Sequence, residues 1–224
     1  MWPVDRSMLR DVLALAAAAG VVGVSFGAIA VAAGLPGWVV AASSVLVFAG
    51  GAQFLAVGLI AAGNPLAAVF AGLLLNARHL PFGMAIADSI GGGWGKRLLG
   101  SHLMVDESVA FALAQPDPGA RRRAYWLTGA ALFVAWNTGT LAGIALGERA
   151  GDPAALGLDA AFPAGLIALL LPSLRDRDTR LVATLGATIA VLGTPLLPAG
   201  LPVLLSLAAL GLLALPTPGR GTPW

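Results

Sequence analysis

Apolar runs near membrane-spanning length dominate this chain, and they restrict it to a helical bundle in lipid. A transmembrane helix needs about 20 consecutive apolar residues. The stretches 12–34, 38–62, 65–90, 124–147, 154–174, 181–197 and 201–215 approach or exceed that length. Turn signals divide them at Pro36-Gly37, Asn64-Pro65, Gly91-Gly92-Gly93 and Gly151-Asp152-Pro153. An eighth stretch, 98–115, is apolar except for His102, Asp106, Glu107 and a few small polar residues. It spans, re-enters or lies in the interface. Only 11% of the 224 residues are charged, against about 25% in soluble domains, and the mean hydropathy is +0.87. Ten-residue alternating strand patterns are absent, which argues against a barrel. The expected fold is all-α: one domain over 1–224, a polytopic bundle of about seven to eight segments with broken helices. Arg6 and Arg10 before the first run resemble a signal peptide, but that run is longer than an h-region and reads as the first span.

Several function classes fall away. No basic stripe with interleaved aromatics points to nucleic acid, and the net charge is only +2. The absence of cysteine excludes disulfides and thiolate metal sites. There is no Gly-x-x-x-x-Gly-Lys-Ser/Thr phosphate loop and no His-Glu-x-x-His motif. His79 and His102 are the only histidines, so no metal centre and no cofactor is expected. No enzyme is expected; an intramembrane enzyme, the third reading, would require Asp106, Glu107 and His79 to converge on a lipid or peptide bond.

Orientation turns on 98–115. If it crosses, eight crossings put both chain ends on one side, together with Arg121, Arg122 and Arg123, while Lys96, Arg97 and Arg149 lie opposite. If it does not, seven helices put the N-terminus outside. Either way, nine of the thirteen Lys and Arg residues fall inside, so the positive-inside rule does not decide. The first arrangement is favoured because it keeps Arg6 and Arg10 cytoplasmic. A weak internal echo, Ala52-Gln53-Phe54 followed by Gly58 and Ala160-Ala161-Phe162 followed by Gly165, suggests a transporter repeat or shared composition alone.

Polar residues inside these runs are costly and mark candidate sites. One Arg at a helix centre costs roughly 2.5–3.5 kcal/mol on insertion scales. Asn76, Arg78 and His79 stand within 65–90. Asn76 and His79 share a helical face, whereas Arg78 points about 100° away from His79. The set therefore suits a broken helix, and Pro81 and Gly83 are the expected break. Backbone groups exposed there could hold the ammonium and carboxylate of a small zwitterion. The alternative is a helix ending near Asn76, with Arg78 snorkelling to the headgroups. Asp106 and Glu107 need a partner or a proton, and Arg78 is the cation at their depth. They could equally belong to a wet interfacial helix, with His102 pairing with Asp106 at i,i+4. Gln53 and Asn137 serve either substrate or interhelical packing. Ser25, Ser43 and Ser44 are expected to bond back to their own helices. Asp159, ahead of Phe162-Pro163, is a cap or a buried proton carrier.

These elements resemble those of a known family. Asn76-Ala77-Arg78-His79 is similar to the Asn-x-Arg-His signature of the AzlC-type large subunit of branched-chain amino acid exporters. Gly51-Ala52-Gln53-Phe54, Asp106-Glu107-Ser108 with Phe111-Ala112-Leu113, and Leu158-Asp159-Ala160-Ala161-Phe162-Pro163-Ala164 follow the family's pattern in order. Pro81 departs from it, since many members carry an aromatic there. The resemblance implies proton-coupled export of Leu, Val, Ile and, in some members, Met. It also implies a small AzlD-type membrane partner and a multi-pass location in the bacterial cytoplasmic (inner) membrane. On this reading Asn76, Arg78, Gln53, Asn137, Phe54 and Phe162 bind substrate, while His79, Asp106, Glu107 and Asp159 are candidates for carrying the proton. Phe82 and Phe111 are further candidates for the apolar wall. The competing reading is a membrane scaffold or sensor subunit that moves no substrate of its own.

Overall fold

The computed structural model describes residues 6–150 and, beyond them, 167, 171, 173–197, 201–206, 208, 209 and 211. Asp159 and Phe162, the second copy of the internal echo, most of 154–174 and part of 201–215 lie outside these residues. Among the described residues every regular element is helical. The order is α1 (Arg6–Ala32), α2 (Gly37–Val47), α3 (Gly50–Ala61), α4 (Pro65–Asn76), α5 (His79–Ile90), α6 (Trp94–His102), α7 (Asp106–Leu113) and α8 (Pro118–Ala150). A 3₁₀ turn at Ser173–Arg175 precedes α9 (Arg177–Gly193) and α10 (Leu201–Ser206), which pack on each other through Gly186 and Gly193.

The two long helices α1 and α8 form the spine. They have 27 and 33 residues, or roughly 40 and 50 Å at 1.5 Å per residue. Both are apolar enough to cross a membrane. Gly139, Gly143 and Gly147 form a Gly-x-x-x-Gly-x-x-x-Gly face on α8. Gly139 meets the backbone of Gly20, Gly143 that of Val24, and Gly147 that of Ala28. Gly23 and Gly27 reply from α1, where a Cβ on Gly23 would stand 2.6 Å from the Trp136 carbonyl oxygen. In lipid, where apolar surface gives no drive to associate, small residues let backbones approach and gain dispersion contact. Partner numbers rise together along both helices, so α1 and α8 run parallel.

The chain between them makes one net return. α2 runs antiparallel to α8: Gly37 lies by Ile144 and Glu148, Ser44 by Asn137 and Thr140, and Phe48 by Phe133. It stops halfway. Phe48 takes the left-handed conformation, φ 42° and ψ 51°, a strained state for a bulky residue that costs on the order of 1–3 kcal/mol. α3 then turns back and pairs with α4, with Gly51 beside Leu75 and Leu59 beside Ala68 and Ala71. The expected single span 38–62 is therefore a half-membrane hairpin. α4 and α5 continue one another with a 44° bend and form the return crossing, ending where Gly91 meets the Arg122 guanidinium.

The break in 65–90 falls at Ala77-Arg78 rather than at Pro81 and Gly83. Pro81 is the third residue of α5. There its missing N–H is one of the first-turn donors that have no intrahelical partner anyway. The stretch 98–115 does not cross. α6 runs alongside α8, with Gly100 by Trp126 and Leu103 by Gly129. The chain then reverses, and α7 returns until the Gln115 carbonyl accepts from Arg121 Nε at 2.9 Å. It is a second half-membrane hairpin, opening toward the opposite end from the first. His102 ends α6 and Asp106 begins α7, so the expected i,i+4 pair on one helix does not exist.

This arrangement corrects the charge map. Because α6 runs parallel to α8, Lys96 and Arg97 lie at the same end as Arg121, Arg122 and Arg123, not opposite them. Arg6 and Arg10 share that end through the parallel α1. Within the described residues the span count is two continuous helices and one bent pair, fewer than the seven to eight segments expected. Two expected segments are hairpins, 181–197 falls mostly in the 17-residue α9, and most of 154–174 lies outside the described residues.

Candidate functional site

Three backbone breaks meet at mid-depth: Phe48-Ala49 between α2 and α3, Ala77-Arg78 between α4 and α5, and Leu103–Val105 between α6 and α7. Each has its own local fastening. At the first, the Ala49 N–H donates to Gln53 Oε1 at 3.1 Å, so a buried amide caps the start of α3. At the second, His79 Nδ1 lies 2.9 Å from the Asn76 carbonyl oxygen. A carbonyl only accepts, so Nδ1 holds the proton in this bond and the neutral ring keeps its lone pair on Nε2. At the third, Ser108 Oγ accepts from the Val105 N–H at 3.0 Å and donates to the Val105 carbonyl at 2.9 Å.

The breaks enclose a cleft of about 260 Å³ lined by Val47, Phe48, Ala49, Asn76, His79, Ser101, His102 and Met104. This is below the roughly 300–1,000 Å³ of sites that take drug-sized ligands, so its occupant is small. Each break contributes residues to the wall. His102 lies on the rings of Phe48 and Phe133, with centroids 6.3 and 5.6 Å away.

Beside the cleft, Arg78 Nη1 and Asp106 Oδ2 form an ion pair at 2.7 Å, as the sequence suggests. Asp106 and Glu107 occupy the first turn of α7, where the positive end of the helix dipole favours carboxylates. The pair leaves polar capacity unused. Asn76 Oδ1, Arg78 Nε and Asp106 Oδ1 are buried atoms with no hydrogen-bond partner. Unpaired buried groups each cost about 1–3 kcal/mol, and here two acceptors and a donor lie around one junction.

The other sequence candidates sit elsewhere. Asn137 Nδ2 donates to the Phe133 carbonyl and Oδ1 accepts from Ser44 Oγ, both at 2.8 Å. Its amide is used in joining α2 to α8. Ser44 therefore bonds across helices, whereas Ser43 donates to its own helix at Val40. Gln53 is committed to the break at Ala49. Phe54 packs on Phe26 and Trp136, with centroids 5.4 and 6.4 Å away. None of the three lines the cleft. Phe82 packs with His79 and with the cluster around Ile86 and Tyr125. Among the described residues no group of three or more His, Asp or Glu could hold a metal. Phe48, Ala49, Ser101 and Met104 were not readable as site residues, and His102 was read only as a partner for Asp106. The adjacent Gly50-Gly51 was the available signal for the first break.

Opposed half-membrane hairpins, a bent span between them and a cleft where the breaks meet define a multi-pass membrane protein with discontinuous helices. A family profile described as "AzlC protein" matches residues 14–149, and the chain belongs to that family. A curated relative, the "Branched-chain amino acid transport protein AzlC" of Bacillus subtilis (strain 168), is 29% identical over 157 residues. The match covers 62% of this chain and 62% of the relative. No solved structure matches.

Proposed function

We propose that this protein is the large subunit of a secondary transporter that exports branched-chain and related apolar amino acids, coupled to protons and working with a small AzlD-type subunit in the bacterial inner membrane. The observation that carries the reading is the junction itself. Asn76 Oδ1, Arg78 Nε and Asp106 Oδ1 lack partners next to a small cleft whose apolar wall is Val47, Phe48, Ala49 and Met104. An α-amino acid offers a carboxylate for Arg78, an ammonium for Asn76 and Asp106, and an aliphatic side chain for that wall. The Arg78–Asp106 pair holds the junction together before substrate binds, and substrate separates it by offering each charge a new partner. Arg6, Arg10, Lys96, Arg97 and Arg121–Arg123 mark the cytoplasmic end by the positive-inside rule, so α6–α7 opens inward and α2–α3 outward. Labelled-leucine counterflow in liposomes, with and without the small subunit, tests the reading. Accumulation supports it; equal retention by protein-containing and empty liposomes removes it. The scaffold alternative separates at Arg78→Ala, with flux read per assembled complex: lost flux in complexes that still assemble supports transport, and loss of assembly alone supports the scaffold.

A further inference from the structure

The base of the α6–α7 hairpin carries positive charge without a mate. Lys96 and Arg97 stand in the first turn of α6, and Arg121, Arg122 and Arg123 near the start of α8. None of the five forms an ion pair with a described carboxylate. Three carboxylates lie at this end. Asp11 is paired with Arg10 on α1, Asp117 accepts from the Ala120 N–H at 2.8 Å, and Asp88 is exposed near the end of α5. Arg121 spends its Nε on the Gln115 carbonyl. Arg123 Nε is a buried donor with no hydrogen-bond partner.

Helix periodicity brings four of these cations to one corner. Gly100 of α6 faces Ile90 of α5 and Trp126 of α8. Lys96 and Arg97 precede Gly100 by four and three residues, and Arg122 and Arg123 precede Trp126 by the same steps. Residues at these steps share a helix face, so all four lie one turn beyond the Gly100–Trp126 contact. Gly91, next after Ile90, leaves room for the guanidinium: a Cβ there would stand 2.5 Å from Arg122 Nη2. Like charges gathered this way repel, and an anion among them relieves the repulsion.

Depth selects the anion. Phe133 lies against His102 at the mid-depth break. Arg122 is three turns earlier on α8, about 16 Å at 1.5 Å per residue, and half the hydrocarbon core is about 15 Å. The corner therefore lies at headgroup level. Trp94, 77% exposed, opens α6 there, with Leu98 and Leu99 exposed beside it. Trp belongs at this interface, and Lys and Arg there attract anionic lipid. We infer that Lys96, Arg97, Arg122 and Arg123 form a binding site for the phosphate of an anionic phospholipid whose acyl chains lie along the exposed leucines of α6. The bound lipid ties the hairpin that carries Asp106 to α5 and α8. Such a site goes beyond the transport reading and stands without it.

The test titrates the full chain in neutral detergent with short-chain phosphatidylglycerol, phosphatidylcholine of the same chains, and inorganic phosphate. Melting temperature reports binding, and native mass spectrometry counts bound lipid. Phosphatidylglycerol is expected to bind at least tenfold more tightly than phosphatidylcholine. Each cation contributes roughly fivefold, so Lys96→Gln combined with Arg122→Gln is expected to lower phosphatidylglycerol affinity about 25-fold and to leave phosphatidylcholine unchanged. Arg10→Gln, which removes a cation already paired with Asp11, is expected to change it less than twofold. If the double variant does not fold, Lys96→Gln alone decides, with a loss of about fivefold. Phosphatidylglycerol affinity that survives these substitutions overturns the site. Equal affinity for the two lipids overturns it too and leaves the corner to an acidic segment of a partner protein. Inorganic phosphate that matches phosphatidylglycerol at equal concentration overturns the lipid in favour of a free anion.

Discussion

Arg78 and Asp106 belong to different broken helices and meet at 2.7 Å, joining the return span α4–α5 to the tip of the α6–α7 hairpin. Each charge would be costly alone at this depth. Arg78→Ala leaves the Asp106 carboxylate uncompensated; adding Asp106→Ala removes the stranded charge. Leucine counterflow is expected to fall at least tenfold, about 1.4 kcal/mol, in the single and the double variant. The double variant is expected to recover the membrane expression that the single one loses. Recovery of flux in the double variant would show that the pair is scaffolding alone.

The α1–α8 spine depends on absent side chains. Gly143 meets the Val24 backbone directly, and no rotamer relieves a Cβ clash with backbone. Gly143→Val is expected to cost about 1–3 kcal/mol or more, read as a lower melting temperature in detergent. Gly58 has open space around its Cβ position, so Gly58→Ala is the control that leaves melting near wild type.

Ser44 tests the polar link between α2 and α8. Its hydroxyl donates to Asn137 Oδ1 at 2.8 Å and is fully buried. Ser44→Ala is expected to destabilise by about 0.6–2 kcal/mol with leucine flux changed less than twofold. A selective loss of flux at unchanged stability would move Asn137 back among the substrate-contacting residues.

The wall of the cleft sets the size of the side chain it takes. Ala49→Leu fills the space and is expected to reduce leucine flux more than alanine flux. Met104→Ala enlarges it and is expected to admit phenylalanine. One methylene in an apolar pocket changes discrimination by about 1–3 kcal/mol, so competition assays resolve both shifts. Unchanged substrate ranking in both variants would place the side-chain pocket elsewhere.

Class and chemistry were more legible in the sequence than geometry. Hydropathy gives the membrane class because burial in lipid requires it. The price of charge at depth singles out Asn76, Arg78, His79 and the Asp106 pair, whose contact with Arg78 the structure bears out. The hairpins were hidden, because each is apolar over nearly a full membrane thickness and its reversal is set by tertiary packing. Phe48 adopts its left-handed turn against Phe133 and His102, and the Leu103–Val105 reversal contains neither Gly nor Pro. Pro81 misled for the opposite reason: in the first turn of a helix a proline breaks nothing. The Gly139, Gly143 and Gly147 spacing is a helix-contact signal whose partner, α1, only the structure supplies.

A solute path through the meeting point of the three breaks must be reachable from water, and the absence of cysteine from the chain permits a direct test. Ser101→Cys places one thiol in the wall of the cleft, where a small water-soluble thiol reagent can report access in reconstituted liposomes. The thiol is expected to react, and leucine to slow the reaction severalfold, while glutamate does not. A thiol that stays unreactive, or reacts at the same rate with and without leucine, would contradict it.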